Sequence, residues 1–528
     1  MVGGGSAGCV LAARLSDDPA CRVLLLDAGH DHRSPWLRIP GGVVFLIGNP
    51  RFDWQPTSDP DDSCHGRRIR WSAGRVLGGG SAINGMAWNR GLARDFDDWS
   101  HAGCAGWSAA EVMPHFTRLE RFLDAPGDGE SGFRGTRGIQ PVEFNRFRFA
   151  GLQPYLDACA ASGIAVVQDL NAFPREGVGA TQCSTGNGLR YSTRDAFLQP
   201  VRQRPNLAVL AEAQVTMLRF NGRRCTGVTY RRDGLTVEAD SRGEVVVSAG
   251  TFGSPALLLR SGVGPAAALR ELDIPVVLDL PGVGRNLQDH VGVPISFRVD
   301  LPALTRTDSH GWRAAAHGAR WLVSRLGPAA GGAVLANGYL RSRADEPGPD
   351  LHLQLLALGF EGSGRGHLAL ARDPAITTIL NVCHPQPRGE LTLSSRDPLT
   401  PPRCRLNLLE SPEDLRRLVL GLRKVRSIHA APSLSDHGAR EISPGPACES
   451  DADLEAWCRD VGGTQYHPAG TCAMGVTGAA VVDPQLRVRG LDGLRVADAS
   501  VMPRLPSSNT NAVVLMIAGK AAALLRGA

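Results

Sequence analysis

Gly3, Gly5 and Gly8, followed nineteen residues later by Asp27, are spaced to hold a dinucleotide. In the pattern Gly3-x-Gly5-x-x-Gly8 the first glycine permits a tight strand-to-helix turn and the second lets the backbone approach a pyrophosphate. The third lets helix and strand pack closely. Ser6 and Ala7 lie within the turn, ahead of the apolar helix Val10–Leu15, whose positive N-terminal end suits the phosphate. The strand Val23-Leu24-Leu25-Leu26 ends at Asp27, placed to accept hydrogen bonds from a ribose diol. Only Met1 and Val2 precede the turn, whereas a strand usually has about 5–6 residues. A misassigned or truncated start, cutting a strand in the middle of a buried parallel sheet, is therefore expected.

A second glycine cluster, Gly78-Gly79-Gly80-Ser81, is too poor in side chains to be core, so backbone amides are its expected contribution.

The elements that must position these turns are spread along the chain. Ser108 and Glu111 have capping-box spacing and predict a helix start. Residues 127–138 read as an exposed loop or lid. Strands are expected at 207–211, 215–220 and 227–230, with a hairpin turn at Asn221-Gly222. The run 244–250 reads as a buried strand ending in glycine, followed by a helix with Ser254 as N-cap, Pro255 as first residue and Gly262 as its end. A last parallel strand at 494–498 precedes an apolar helix after Asn511 that runs to Leu525. The stretch from about 294 to 460 is less periodic and reads mostly as a second domain.

Composition narrows the class. At 528 residues the chain is long enough for two to four domains. The formal charge is +5, Lys424 and Lys520 are the only lysines among 57 basic residues, and no dense basic run exists, which argues against nucleic acid as a partner. Twelve scattered cysteines without a CxxC read as reduced, mostly buried thiols, and no metal site is expected. No stretch reaches the eighteen or so apolar residues of a membrane span, and no signal segment opens the chain. The cytoplasm is the expected compartment, with peripheral membrane association left open.

Four segments carry a resemblance. They are Gly74-Arg75-Val76-Leu77-Gly78-Gly79-Gly80-Ser81-Ala82-Ile83-Asn84-Gly85, continuing to Trp88, Gly91 and Asp97; Gly250–Pro255 through Ser261-Gly262-Val263-Gly264; Tyr466–Gly475; and Asn509-Thr510-Asn511. In this order they resemble the glucose-methanol-choline (GMC) family of flavin oxidoreductases, over essentially the whole chain, and most closely its bacterial choline dehydrogenase-like branch. The resemblance implies an α/β fold, α+β overall. A Rossmann-like FAD-binding domain would be built from 1–148, 207–293 and 462–528. A discontinuous substrate-binding domain on an antiparallel sheet would be built from 149–206 and 294–461.

It also implies roles. His467 would be the base that takes a hydroxyl proton, with a pKa near the working pH, while flavin N5 takes the hydride. Asn511 would hold the substrate oxygen, and the helix behind it would point its positive end at the flavin. Gly78, Gly79, Ser81, Asn84 and Gly85 would line the flavin and pyrophosphate; Val215 would touch adenine; Asp498 and Ala499 would lie near the pyrophosphate or ribityl chain. Asp27 stands where most members have glutamate. Ile83 replaces a histidine to which some members bond flavin covalently, so FAD should be noncovalent here. Asp289 and His290, in a further family-like segment, read as structural.

The expected reaction is FAD-dependent oxidation of an uncharged primary alcohol to its aldehyde, with electrons passed to a quinone or another carrier. The alternatives are an oxygen-using aryl- or furanic-alcohol oxidase, a choline dehydrogenase and a hydroxynitrile lyase on the same scaffold. Few aromatic residues are available for a quaternary ammonium cage, which counts against choline.

Overall fold

The computed structural model describes residues 1–125, 133–172, 176–362 and 368–527. Of the loop expected at 127–138, residues 127–132 lie outside the described residues.

The parallel sheet forms as its strands' valines and leucines require, with both faces covered. Val23–Leu26 pairs in parallel with Leu207–Leu210, and Val245–Val247 with Leu494–Val496. Val2 joins the two pairs by bridging Leu26 on one side and Val247 on the other. Residues from both ends of the chain and from its middle thus share one sheet. The glycine turn leads directly into the helix Ser6–Leu15, whose inner residues are almost all buried. This helix packs against the C-terminal helix Thr510–Arg526. A three-stranded antiparallel ribbon, 214–221, 224–232 and 235–240, includes the expected hairpin at Asn221-Gly222. The capping box at Ser108 and Glu111 opens the helix Ala109–Leu119.

One boundary differs from expectation. The helix after Val247 begins at Gly250, so Ser254 and Pro255 lie inside it and Gly262, with φ +81°, follows its last turn. Gly250 takes φ +78° and turns the chain into the helix. Ser254 is occupied instead with a hydrogen bond to Asp498.

The middle of the chain supplies the second layer. An antiparallel sheet runs in the order Arg440–Ser443, Val291–Arg298, Ala375–Val382, Leu351–Leu356, Val334–Leu340 and Gly177–Ala180, with Gly463–Thr464 also pairing on Val291–Arg298. Its residues alternate in chemistry with the pleat. One face carries Leu351, Leu353 and Leu380, and the helix Pro412–Ala430 lies so close that a Cβ on Gly421 would stand 2.2 Å from Leu380 Cδ2. The other face carries Asn337, His352 and Gln354, polar groups that are fully or almost fully buried. A buried polar face needs partners, and those partners form the site.

Among the described residues, no helix is long and apolar enough to cross a membrane.

Candidate active site

His467 reaches its position because two distant segments pair. Val291 and Gly292 form a short antiparallel ladder with Thr464 and Gly463, and Gln288 bridges Ala469. Between these contacts Tyr466 takes φ +61°, and His467 faces back toward Asp289 and His290. The Asp289 carboxylate fastens this turn by accepting from the Trp71 indole at 2.6 Å, the His467 backbone N–H at 3.0 Å and the Thr464 hydroxyl. Its full burial pushes its pKa up to about 6, against the pull of those donors.

The hydrogen bonds of the His467 ring follow one direction. His290 Nε2 lies 3.0 Å from the Cys383 carbonyl, which can only accept, so His290 carries its proton on Nε2. Its Nδ1 is then an acceptor for His467 Nδ1, 2.9 Å away, and His467 must carry its proton on Nδ1. His467 Nε2 is left with a lone pair, which accepts from Asn509 Nδ2 at 3.1 Å. The Asn509 amide is oriented in turn, because its Oδ1 accepts from Asn89 Nδ2 at 2.7 Å and Gln354 Nε2 at 3.3 Å. Four side chains from distant segments thereby fix which nitrogen of His467 is basic.

Burial lowers the pKa of His467 well below its ordinary value, with the neighbouring His290 and His352 adding to the effect; burial likewise brings His290 down to about 4 and His352 to about 3. The pKa of His467 therefore lies below the near-neutral value that the sequence reading expected of a base.

The asparagine that meets His467 stands two residues before Asn511. Asn509 is the N-cap residue of the C-terminal helix and faces His467, whereas Asn511 lies in its first turn and accepts from Ser6 Oγ at 2.9 Å. At about 100° per helical residue, positions two apart point to nearly opposite sides. The motif Asn509-Thr510-Asn511 contained both asparagines, and only the helix start separates them.

In the turn Gly3–Gly8 the three motif glycines differ in their surroundings. Gly3 takes φ +95°, and a Cβ on Gly8 would lie 1.8 Å from the Gly3 carbonyl oxygen, so both serve close backbone packing. Gly5 is open toward Gly79, whose Cα would lie 3.9 Å from a Cβ on Gly5. Gly78 and Gly79, with φ +92° and +51°, fold onto the turn, and Gly78 N–H donates to the Gly4 carbonyl at 2.8 Å. Asp27 accepts from Gly4 N–H at 2.6 Å and Gly29 N–H at 2.7 Å, and its burial raises its pKa. Val215 follows the residues Glu212 and Ala213, whose N–H groups bond Gly29 and Asp27 carbonyls, so it lies on the Asp27 side.

Other expected residues have partners within the protein. The Ser81 hydroxyl turns inward to the Gly78 carbonyl and Thr193. Asn84 Oδ1 accepts from Met86 N–H and from the fully buried Arg190. The Asp498 carboxylate is occupied by Gly250 N–H, Ser254 Oγ and Ser500 N–H, which tie two strand ends together. Ala499 donates no side-chain bond, and its carbonyl accepts from Gly470 N–H at 3.2 Å.

These residues fit FAD. A Cβ on Gly80 or Gly85 would meet no atom within 4 Å, so bare backbone borders open space beside the turn. The helices Ser6–Leu15 and Thr510–Arg526 both begin without a side-chain cap, leaving their first N–H groups to a ligand. Among the described residues no cluster could hold a metal ion.

Gln354 and Arg190 were not singled out in the sequence, and Asn509 and Asn89 stood in family-like segments without a role of their own. Asn509, Asn89 and Gln354 come from distant segments that only the fold brings together, and Arg190 reaches Asn84 from a separate segment.

The GMC oxidoreductase family model matches residues 1–292 and 385–518. Oxygen-dependent choline dehydrogenase of Burkholderia cenocepacia (strain HI2424) is 37% identical over 544 residues, covering 100% of this chain and 93% of that protein. Pyridoxine 4-oxidase from Mesorbium loti superimposes with a TM-score of 0.88 at 30% identity, covering 99% of this chain and 97% of that one. An FAD-dependent oxidoreductase from Chaetomium thermophilum gives a TM-score of 0.89 at 25% identity, covering 100% and 98%. The chain therefore belongs to the GMC oxidoreductase family and is an FAD-dependent oxidoreductase acting on CH–OH donors.

Proposed function

We propose that this chain oxidises an uncharged primary alcohol to its aldehyde and passes the electrons to a quinone or another external acceptor. The observation that carries this reading is the hydrogen-bond direction running from Asn509 through His467 and His290 to Cys383, which leaves His467 Nε2 as the one basic atom. A hydroxyl that replaces Asn509 as donor to Nε2 keeps Asn509 Nδ2 as a donor to its own oxygen. Its proton moves to Nε2 as the C–H bond breaks. FAD, when bound, supplies the hydride acceptor at N5 of its ring. The lowered pKa of His467 keeps the ring neutral and ready at neutral pH.

Asn509, rather than Asn511, is the substrate-facing asparagine in this reading. Asn511 with Ser6 joins the two uncapped helix starts, where Gly3, Gly5, Ser6, Ala7, Gly8, Gly78 and Gly79 would hold the pyrophosphate. Asp27 and Val215 would face the adenosine end. Ser81 would act by holding the Gly78 turn, Asn84 and Gly85 would border the flavin, and Asp498 and Ala499 would contribute backbone. The buried Ile83 supports a noncovalent cofactor. The segments 1–148, 207–293 and 462–528 would form the FAD-binding part, and 149–206 with 294–461 the substrate part.

The carboxylate argues for an uncharged alcohol. Asp289, one bond from His467, is already engaged by three donors and offers no free counter-charge to a quaternary ammonium. An oxidase reading is second, supported by the similarity to pyridoxine 4-oxidase; stopped-flow reoxidation of the reduced enzyme by air separates it from the first.

Anaerobic mixing with a panel of primary alcohols tests the proposal through loss of flavin absorbance near about 450 nm. His467→Ala should slow this loss by about 10²–10⁴-fold. A near-normal rate would reject the role of His467, and failure of every alcohol to reduce the flavin would reject the reaction.

A further inference from the structure

The helix Gly311–Ser324 presents its apolar side to the solvent. Its one buried residue, Trp321, anchors it by donating its indole N–H to the Gly188 carbonyl at 2.8 Å. On the opposite side, at about 100° per residue, Trp312 and Val323 form a stripe with alanines between them, and Leu322 flanks it. Trp312, Leu322 and Val323 are 76%, 66% and 89% exposed. Arg313 and Arg320, both exposed, border this stripe along one edge. Arg313 reaches Asp308 at 3.7 Å, but residues 309–344 contain no Asp or Glu at all.

A second exposed apolar segment lies beside it. Trp36 and Phe45 pack ring to ring at 4.4 Å, and Val44 is 60% exposed. Residues 32–52 also lack any acid and carry Arg33, Arg38 and Arg51. Both segments pack on the same turn, Pro328–Ala330.

We infer that the helix Gly311–Ser324, assisted by the segment around Trp36 and Phe45, docks the protein on an anionic lipid surface. The helix is about 21 Å long at ~1.5 Å per residue, and its apolar stripe suits the boundary between headgroups and acyl chains. Its arginines can extend along that boundary to lipid phosphates. The charge pattern decides against a second copy of the chain, because a twofold contact sets the same patch against itself. Arginine would then oppose arginine, and the acids that meet them from outside the two segments, Asp308 at Arg313 and Asp195 at Arg38, are themselves largely buried. An anionic lipid surface supplies the missing charge and accepts the apolar side chains together. This docking is independent of which alcohol the active site takes.

The test mixes the FAD-loaded enzyme with vesicles of phosphatidylglycerol and phosphatidylcholine, or of phosphatidylcholine alone, at low salt. The enzyme should sediment with the anionic vesicles and remain in solution with the neutral ones. The paired variant Trp312→Ser/Val323→Ser should lower the ratio of bound to free enzyme by about tenfold or more. Arg313→Gln and Arg320→Gln should each lower it by about fivefold. Flavin content and turnover with a soluble acceptor should stay at the parent level in all of these variants, which reports that they fold. The inference is overturned if the parent enzyme ignores anionic vesicles, or if the Trp312→Ser/Val323→Ser protein binds them as well as the parent. It is equally overturned if that variant converts a parent dimer to monomer, since the patch would then be a contact between copies.

Discussion

His467 and His290 face each other through their Nδ1 atoms at 2.9 Å, although 177 residues separate them. Two imidazoles can share such a contact only if one donates and the other accepts, and the Cys383 carbonyl decides which. His290 is thus a positioning residue: it touches no substrate in this reading but selects the tautomer of the group that does.

His290→Ala should lower the rate of flavin reduction by about 10–100-fold, the usual scale for a group that orients a reacting histidine. His290→Gln, which can still accept from His467 and donate to Cys383, should restore part of it. Equal rates in both variants, at equal flavin content, would show that the ring only fills space.

The two asparagines of the C-terminal helix start should separate cleanly. Asn509→Ala should reduce kcat/KM for the alcohol by about 10²-fold or more while FAD stays bound. Asn511→Ala should instead weaken FAD retention, read by flavin released on gel filtration, and leave the rate per bound flavin near normal. The opposite result would return the substrate role to Asn511.

The lowered pKa of His467 fixes the sign of the pH response. Its neutral form is complete well below pH 6.5, so kcat/KM should stay flat from pH 8 down through about 6, and an acid limb centred near about 6.5 would contradict the burial argument. Stability follows the same sign for the buried histidines. His467, His290, His352 and His429 all have folded pKa values lowered by burial, the last to about 3. Below pH 6.5 the unfolded chain therefore binds more protons than the folded one, and stability falls as pH drops toward 4. Asp289 acts in the reverse sense: its pKa is raised from 3.8 to about 6, so the folded state binds the extra proton there, and its ionisation costs stability as pH rises through that window. Asp27 and Asp414, also raised by burial, act with Asp289, but the lowered histidines outnumber these carboxylates, and denaturant midpoints should be lower at pH 4.5 than at pH 6.5. His429→Phe, far from the alcohol site and stacked on Phe297 at 3.7 Å, should reduce that difference.

Glu120 is fully buried between Arg90 and Arg134, and Arg134 also reaches Asp169 at 2.6 Å. Glu120→Ala would leave two buried guanidinium groups short of a partner and should cost about 3–5 kcal/mol of stability. Thermal unfolding of the FAD-loaded variant measures it; an unchanged midpoint would mean that Asp169 suffices.

Local spacing made the dinucleotide turn legible, because Gly3, Gly5, Gly8 and Asp27 act within one strand-helix-strand unit. The strands 23–26, 207–210 and 245–247 were legible as apolar runs, and the hairpin at Asn221-Gly222 through its turn chemistry. Ser254 misled because an N-cap residue and a buried partner for a carboxylate look alike in sequence; only the approach of Asp498 tells them apart. Asn509 and Asn511 were not separable by spacing, since a two-residue offset at a helix start rotates a side chain to the other side, and only the fold shows that one meets His467 and the other Ser6. His290 and Asp289 read as structural because adjacent residues need not face each other. Both nevertheless meet His467, by different atoms.

The bond between Ser6 and Asn511 spans 505 positions of sequence. Two helix starts that lie far apart in the chain are thus fastened to each other by one hydroxyl and one amide. Any fragment that lacks either partner loses the clasp, however well its own segment folds.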